Sequence, residues 1–140
     1  MIMEIQREAR LENLPALRRF AVGACRQCGA DAAACDAVEL AVDEACSNIV
    51  LHGYDGREPG PIVVTFECRA DEAVITIADF GQPFAPDKLP PPDLASGWEE
   101  RRVGGLGWHL IQQMMDEVTY QTDAQAGNRL TLRKRWQAGG

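Results

Sequence analysis

Residues 44–54 read EACSNIVLHGY and close a helical pattern that runs from Asp36 or slightly earlier to His52, with Gly53 as its stop. Glu44 and Asn48 are four positions apart, so their side chains are neighbours on this helix. They form a polar notch with apolar residues on both sides. A carboxylate there can serve as a base, and an amide oxygen can join a magnesium shell. A solvated helix rim would give the same pattern.

Two strand patterns follow this helix and predict a hairpin. Residues 61–69 alternate apolar and polar side chains, and residues 73–79 are rich in β-branched residues. The second strand ends in Asp79, and Gly81 follows two positions later. An Asp at a strand end can accept a hydrogen bond from the exocyclic amine of adenine, and a glycine allows a ring to approach closely. A plain Asp-x-Gly turn is the alternative.

A glycine-rich run then opens the next helix. Residues 80–103 contain five prolines and are predicted to form a loop, after which Gly104, Gly105, Leu106 and Gly107 lead into a helix over 106–116. Bare backbone N–H groups at a helix N-terminus form an anion site that suits phosphate. A flexible loop that merely meets a helix is the alternative.

The remaining patterns complete the predicted architecture. A short strand over 2–7, a helix over 13–28 and a closing hairpin of 117–122 and 128–136 flank the central elements. This order predicts one domain over residues 1–140 with an α+β fold. We expect a two-layer α/β sandwich, in which helices cover one face of a mostly antiparallel sheet.

Composition narrows the function classes. The net charge of −7 argues against nucleic-acid binding, which draws on Lys and Arg to neutralise phosphates. No apolar run is long enough for a membrane span, and the N-terminus lacks a signal-peptide pattern, so we expect a cytoplasmic protein without membrane contact.

The cysteines predict free thiols in a reducing compartment, because their number is odd and no secretion signal is present. They are Cys25, Cys28, Cys35, Cys46 and Cys68. Cys25 and Cys28 have metal-ligand spacing, but a structural zinc site usually needs a second pair. The helical pattern around them favours packing positions.

Taken in order and spacing, three of these motifs resemble the N, G1 and G2 boxes of the GHKL (Bergerat-fold) ATPase superfamily. They are Glu44-x-x-x-Asn48, Asp79-x-Gly81 and Gly105-x-Gly107. The wording EACSNIVLHGY, GGLGWHLI and GNRLTLRKRW is similar to the anti-sigma-factor serine kinases of bacterial partner-switching systems. The resemblance covers about residues 10–136.

The resemblance implies a role for each matched residue. Glu44 would be the catalytic base, Asn48 a Mg²⁺ ligand, and Arg18, next to Arg19, an aid to phosphoryl transfer. The implied nucleotide-binding residues are Asn48, Asp79, Gly81, Gly104, Gly105, Leu106, Gly107 and Asn128. Residues 84–103 would form a lid. Asn128 departs from the family, which usually has a threonine there.

The implied activity is that of an ATP- and Mg²⁺-dependent serine protein kinase. The resemblance implies that it phosphorylates a STAS-type anti-sigma-factor antagonist, sequesters a sigma factor or similar regulator, and forms a homodimer. Two alternatives stay open: a nucleotide-dependent binding module without turnover, and a histidine-kinase catalytic domain that acts in trans. The chain contains neither a P-loop nor an H-R-D-x-x-x-x-N motif, so other kinase classes are disfavoured.

Overall fold

The computed structural model describes residues 1–83 and 105–137. Within them, five strands form one sheet in the order β1-β2-β3-β5-β4, with every neighbouring pair antiparallel. The strands are β1 (Ile2–Glu8), β2 (Pro61–Cys68), β3 (Glu72–Asp79), β4 (Glu117–Asp123) and β5 (Gly127–Arg135). The register places Asp79 opposite Asn128 at one end of the sheet.

Three α-helices lie in the described residues: α1 (Leu14–Gln27), α2 (Ala32–Asn48) and α3 (Gly105–Met114). Helix α2 starts earlier than Asp36 because the Asp31 side chain accepts a hydrogen bond from the Ala34 backbone N–H at 2.8 Å and caps it. A single π-helical turn, Ile49–Gly53, extends α2. None of the described helices is long and apolar enough to cross a membrane.

The core lies between the sheet and the helices. Ile62, Val64 and Phe66 on β2 point into it together with Ile75 and Ile77 on β3, because alternate residues of a strand share one face. Helices α1 and α2 supply the opposite wall with buried side chains such as those at Leu17, Val38 and Val42. The predicted α+β sandwich with helices on one face is confirmed.

The prediction of five free thiols is wrong for two cysteines. Cys28 follows the end of α1 and Cys68 ends β2, and the structure joins them in a disulfide with a Cα–Cα distance of 5.6 Å. The fold brings together two positions 40 residues apart, which spacing along the chain could not indicate. Cys25, Cys35 and Cys46 are free and buried. In the part of the chain that the structure describes, no group of three or more His, Cys, Asp or Glu side chains could hold a metal ion.

Candidate functional site

The Glu44 carboxylate lies inside the protein, against the first turn of α3. Its exposure is 9%, so the alternative of a solvated helix rim does not apply. A Cβ atom added to Gly107 would lie only 2.8 Å from Oε2 of Glu44. The acid of the second helix and the glycine-rich helix start, far apart in sequence, are therefore in contact.

Asn48 is the last residue of α2 and lies one turn beyond Glu44, in a partly buried position. The π-helical turn begins directly after it. Such turns are rare and are frequently found at functional sites. Here the turn directs the backbone of Gly53 toward the end of strand β3.

Asp79 ends β3 as a buried carboxylate with 5% exposure. The Asn128 side chain donates through Nδ2 to Oδ1 of Asp79 at 2.5 Å and to the Gly81 carbonyl at 2.9 Å. The Gly81 backbone N–H donates to the same Oδ1 at 3.3 Å. Among the described residues, these hydrogen bonds reach Oδ1 alone, which leaves Oδ2 to accept one from a ligand.

The electrostatics of Asp79 reflect two opposed effects. Burial raises the pKa of its carboxyl group above the usual value, because the charged form loses hydration. The hydrogen bonds from Asn128 and Gly81 oppose this rise in pKa, since they stabilise the charged form. The site thus keeps a poorly hydrated acceptor whose orientation is fixed by its neighbours.

Gly81 is required by a close backbone approach. A Cβ atom there would overlap the carbonyl group of Gly53, and the Gln82 backbone N–H donates to that same carbonyl. The sequence pattern predicts that the glycine lets a ring approach closely, and this stays a prediction. In the structure, the absence of a side chain at Gly81 gives room for the carbonyl group of Gly53, and the Gly81 N–H also bonds Asp79 within the Asp-x-Gly turn.

Gly53, predicted as the stop of the second helix, and Tyr54, which follows it, also contact the segment after β3. The Tyr54 hydroxyl accepts a hydrogen bond from the Phe80 backbone N–H at 2.8 Å and donates one to the Pro61 carbonyl at 2.8 Å. The sequence His52-Gly53-Tyr54 is part of the stretch that resembles the kinase family, but nothing in it indicates that Tyr54 forms hydrogen bonds with Phe80 and Pro61.

A cleft of about 630 Å³ opens at this end of the sheet, next to the Asp79–Asn128 pair. It is lined by the segments after α2, after β3 and between β4 and β5. Its walls include Arg57, Phe80, Gly81, Asp123 and Asn128. Phe80 is half exposed, with 51% of its surface accessible.

The structure places Arg18 and Arg19 differently. Arg18 lies against α2 and forms ion pairs with Glu39 at 3.8 Å and Asp43 at 3.6 Å, whereas Arg19 is exposed. Asp43 is the chain neighbour of Glu44. Arg18 is thus on the side of α1 that faces the helix carrying Glu44.

Part of the glycine-rich run falls outside the description. Gly104 and the expected lid over 84–103 lie outside the described residues. Gly105 is the first residue of α3 and Leu106 the second, so the predicted start of this helix is close to the observed one.

The arrangement fits a nucleotide. Among the described residues, the hydrogen bonds from Asn128 and Gly81 to the buried Asp79 carboxylate involve Oδ1, and helix α3 begins beside the buried Glu44 with Gly107 at the contact. For Mg²⁺, Asn48 offers one oxygen ligand. This is consistent with the way Mg²⁺ is usually held, through few protein ligands together with phosphates and waters.

Comparisons with known proteins point in the same direction. A family model described as "Histidine kinase-like ATPase domain" matches residues 7–134. A protein named serine-protein kinase RsbW from Bacillus pumilus is 31% identical over 129 residues, which cover 88% of this chain and 80% of that protein. Its namesake from Listeria monocytogenes is 30% identical over 123 residues, with 85% and 78% covered.

Two solved structures share the fold. The first contains the RsbU and RsbW domains of a Mycobacterium tuberculosis protein, with a TM-score of 0.68 and 21% identity. The match covers 96% of this chain and 32% of that one. The second is the histidine kinase domain of a blue-light-activated histidine kinase from Erythrobacter litoralis, with a TM-score of 0.56 and 17% identity over 87% of this chain and 60% of that one.

Proposed function

Since the chain belongs to the histidine kinase-like ATPase domain family, we propose that it is a serine protein kinase that uses ATP and acts as an anti-sigma factor. The observation that carries the proposal is the contact between the Glu44 carboxylate and Gly107 at the start of α3. It puts a buried acid beside a helix N-terminus, where phosphates bind favourably. The RsbW relatives support the choice of serine as the acceptor.

The nucleotide would be held at both ends of the site. Oδ2 of Asp79 accepts a hydrogen bond from the adenine amine, while Oδ1 accepts one from the Asn128 side chain. The backbone N–H groups at the start of α3, from Gly105 to Gly107, bind the phosphates. Asn48 contributes an oxygen ligand to Mg²⁺. Bound ATP supplies the phosphoryl group that is transferred.

Glu44 acts as the base in this proposal. Phosphoryl transfer depends mainly on positioning and charge neutralisation, and a carboxylate near the acceptor takes the serine proton. Because Glu44 is buried, its carboxylate is poorly hydrated. We assign Arg18, rather than Arg19, to charge neutralisation, because Arg18 faces α2.

The partners follow from the family. We propose that the substrate is a STAS-type anti-sigma-factor antagonist and that the protein sequesters a sigma factor or similar regulator. A single domain over residues 1–140 that works as a homodimer in the cytoplasm is part of the same proposal.

A label-transfer experiment tests the function. The purified protein is incubated with radiolabelled ATP, Mg²⁺ and a candidate STAS protein, with a serine-to-alanine variant of that STAS protein as control. We expect acid-stable label on the STAS protein and none on its variant. Nucleotide binding without transfer would instead support a binding module, and acid-labile label would support a histidine-kinase domain.

A further inference from the structure

Tyr54 connects the end of α2 to the nucleotide end of the sheet. Its hydroxyl group lies between two backbone groups, the Phe80 N–H that donates to it and the Pro61 carbonyl that accepts from it, each at 2.8 Å. Only 9% of the residue is exposed. Phe80 directly follows Asp79, so the hydrogen bond fixes the backbone next to the adenine-binding carboxylate.

The ring of Tyr54 is held as closely as its hydroxyl. A Cβ atom on Gly60 would lie 2.6 Å from a ring carbon, so only a glycine leaves room for the ring there. The Arg57 guanidinium lies over the same ring, 5.7 Å from its centre. The ring therefore has little freedom to carry the hydroxyl away from Phe80.

A second hydrogen bond supports the same connection. The Gln82 backbone N–H donates to the Gly53 carbonyl, and Gly81 packs directly on that carbonyl group. Gly53 and Tyr54 thus hold the chain on both sides of Gly81. The helix that carries Glu44 and the turn that follows Asp79 are joined by backbone contacts at this point.

The protonation state of Tyr54 suits this role. Burial raises the pKa of its hydroxyl above the usual value, although the hydrogen bond from Phe80 opposes the rise. The hydroxyl therefore keeps its proton at neutral pH and can donate to Pro61 while it accepts from Phe80.

We infer that Tyr54 is a positioning residue of the proposed kinase: its hydroxyl holds the turn Phe80–Gln82 against the end of α2 and so orients the Asp79 carboxylate for adenine. The inference rests on the proposed function. Without the hydroxyl, two partly buried backbone groups lose their hydrogen bonds to it, and the turn spends less time in the conformation that binds. The apparent Kd for a nucleotide rises in inverse proportion to the population that is competent to bind.

Tyr54→Phe tests the inference, because it removes the hydroxyl and keeps the ring. We expect the Kd and the KM for ATP to rise about tenfold, which corresponds to about 1.4 kcal/mol. The kcat at saturating ATP should stay within about twofold of the wild-type value, because the hydroxyl contacts neither Glu44 nor Gly107. Titration calorimetry and steady-state kinetics provide these values.

Ile75→Val is the matched control. Ile75 is fully buried on the same strand, so this change lowers stability without touching the turn. We expect a lower Tm with an unchanged Kd for ATP. If Tyr54→Phe behaved like Ile75→Val, with a lower Tm and wild-type KM, Tyr54 would be structural only and the inference would be wrong.

Hydrogen exchange in the wild-type protein gives a test that needs no variant. The amide of Phe80 should exchange slowly even without ATP, since Tyr54 accepts its hydrogen bond. Exchange of this amide at the rate of an open loop would overturn the inference. A wild-type protein that binds no ATP would refute the proposed function itself, whereas ATP binding that Tyr54→Phe leaves unchanged would refute only the role of Tyr54.

Discussion

Oε2 of Glu44 lies 2.8 Å from the point that a Cβ atom on Gly107 would occupy, so the acid and the helix start are packed without room for a methyl group. The contact involves the far end of a flexible side chain. Any larger residue at position 107 would displace the carboxylate rather than the backbone. Position 107 therefore controls where the proposed base lies.

Gly107→Ala should impair transfer far more than folding. The added methyl group pushes the Glu44 carboxylate aside, and a misplacement of about 1 Å can lower a rate about 100-fold. Stability should change by no more than about 1 kcal/mol, since alanine is the better helix former. Single-turnover transfer and thermal unfolding measure the two effects.

Gly23→Ala is the control for that substitution. Gly23 lies in α1, and a Cβ atom there would meet no atom within 4 Å. This variant should transfer phosphate at the wild-type rate and be slightly more stable. Equal transfer rates in both alanine variants would contradict the importance of the Glu44–Gly107 contact.

Glu44→Gln should separate binding from chemistry. The amide keeps the shape of the side chain but cannot accept the serine proton, so the transfer rate should fall by about 100-fold or more. The Kd for ATP should remain within about threefold of wild type. Asp36→Asn, which changes an exposed carboxylate on the same helix, should leave both values unchanged. Full transfer by Glu44→Gln would show that another group is the base.

Asp79→Asn should weaken ATP binding and yet stabilise the protein at neutral pH. Burial raises the pKa of Asp79, so the folded state holds this proton more tightly than the unfolded chain does. The ionised carboxylate therefore destabilises the fold above the raised pKa. This penalty fades as the pH falls through the folded-state pKa toward the usual value of 3.8.

Unfolding of the Asp79→Asn variant and of the wild type should be compared from pH 7 downward. The stability advantage of the variant should shrink as the pH falls, while its Kd for ATP at pH 7 should be at least about tenfold higher. Asp71→Asn changes an exposed carboxylate next to the other end of β3. This control should change neither the stability nor the Kd for ATP. A variant that is less stable but binds ATP normally would contradict the assignment.

The disulfide predicts the number of reactive thiols. Without a reductant, the unfolded protein should show three thiols, those of Cys25, Cys35 and Cys46, and reduction should raise the number to five. In the folded protein, reaction should be slow, because burial raises the pKa of Cys25 and of Cys46 to about 12. Five thiols in the unreduced, unfolded protein would show that Cys28 and Cys68 are not joined.

Local patterns predicted most of the secondary structure. The alternation along β2 and the helical spacing in α1 are encoded by neighbouring residues. The sequence therefore predicts where these two elements begin and end to within a few positions. The spacing of Glu44 and Asn48 likewise indicated a polar row on one helix. These features depend on contacts that are close in sequence.

Features that depend on tertiary contacts were not predictable in the same way. The pairing of Asp79 with Asn128 depends on the register between β3 and β5, and the bond between Cys28 and Cys68 depends on where α1 meets the sheet. The role of Gly81 is set by Gly53, and the hydroxyl of Tyr54 finds its partners in two other segments. No local sequence pattern encodes tertiary contacts of this kind.

A crystal structure with Mg²⁺ and a non-hydrolysable ATP analogue tests the central claim most directly. We predict that the adenine amine lies within hydrogen-bond distance of Oδ2 of Asp79 and that the terminal phosphate accepts hydrogen bonds from the backbone N–H groups at the start of α3. A nucleotide bound only in the cleft whose walls include Arg57 and Asp123, without contact to Asp79 or Gly107, would contradict the account.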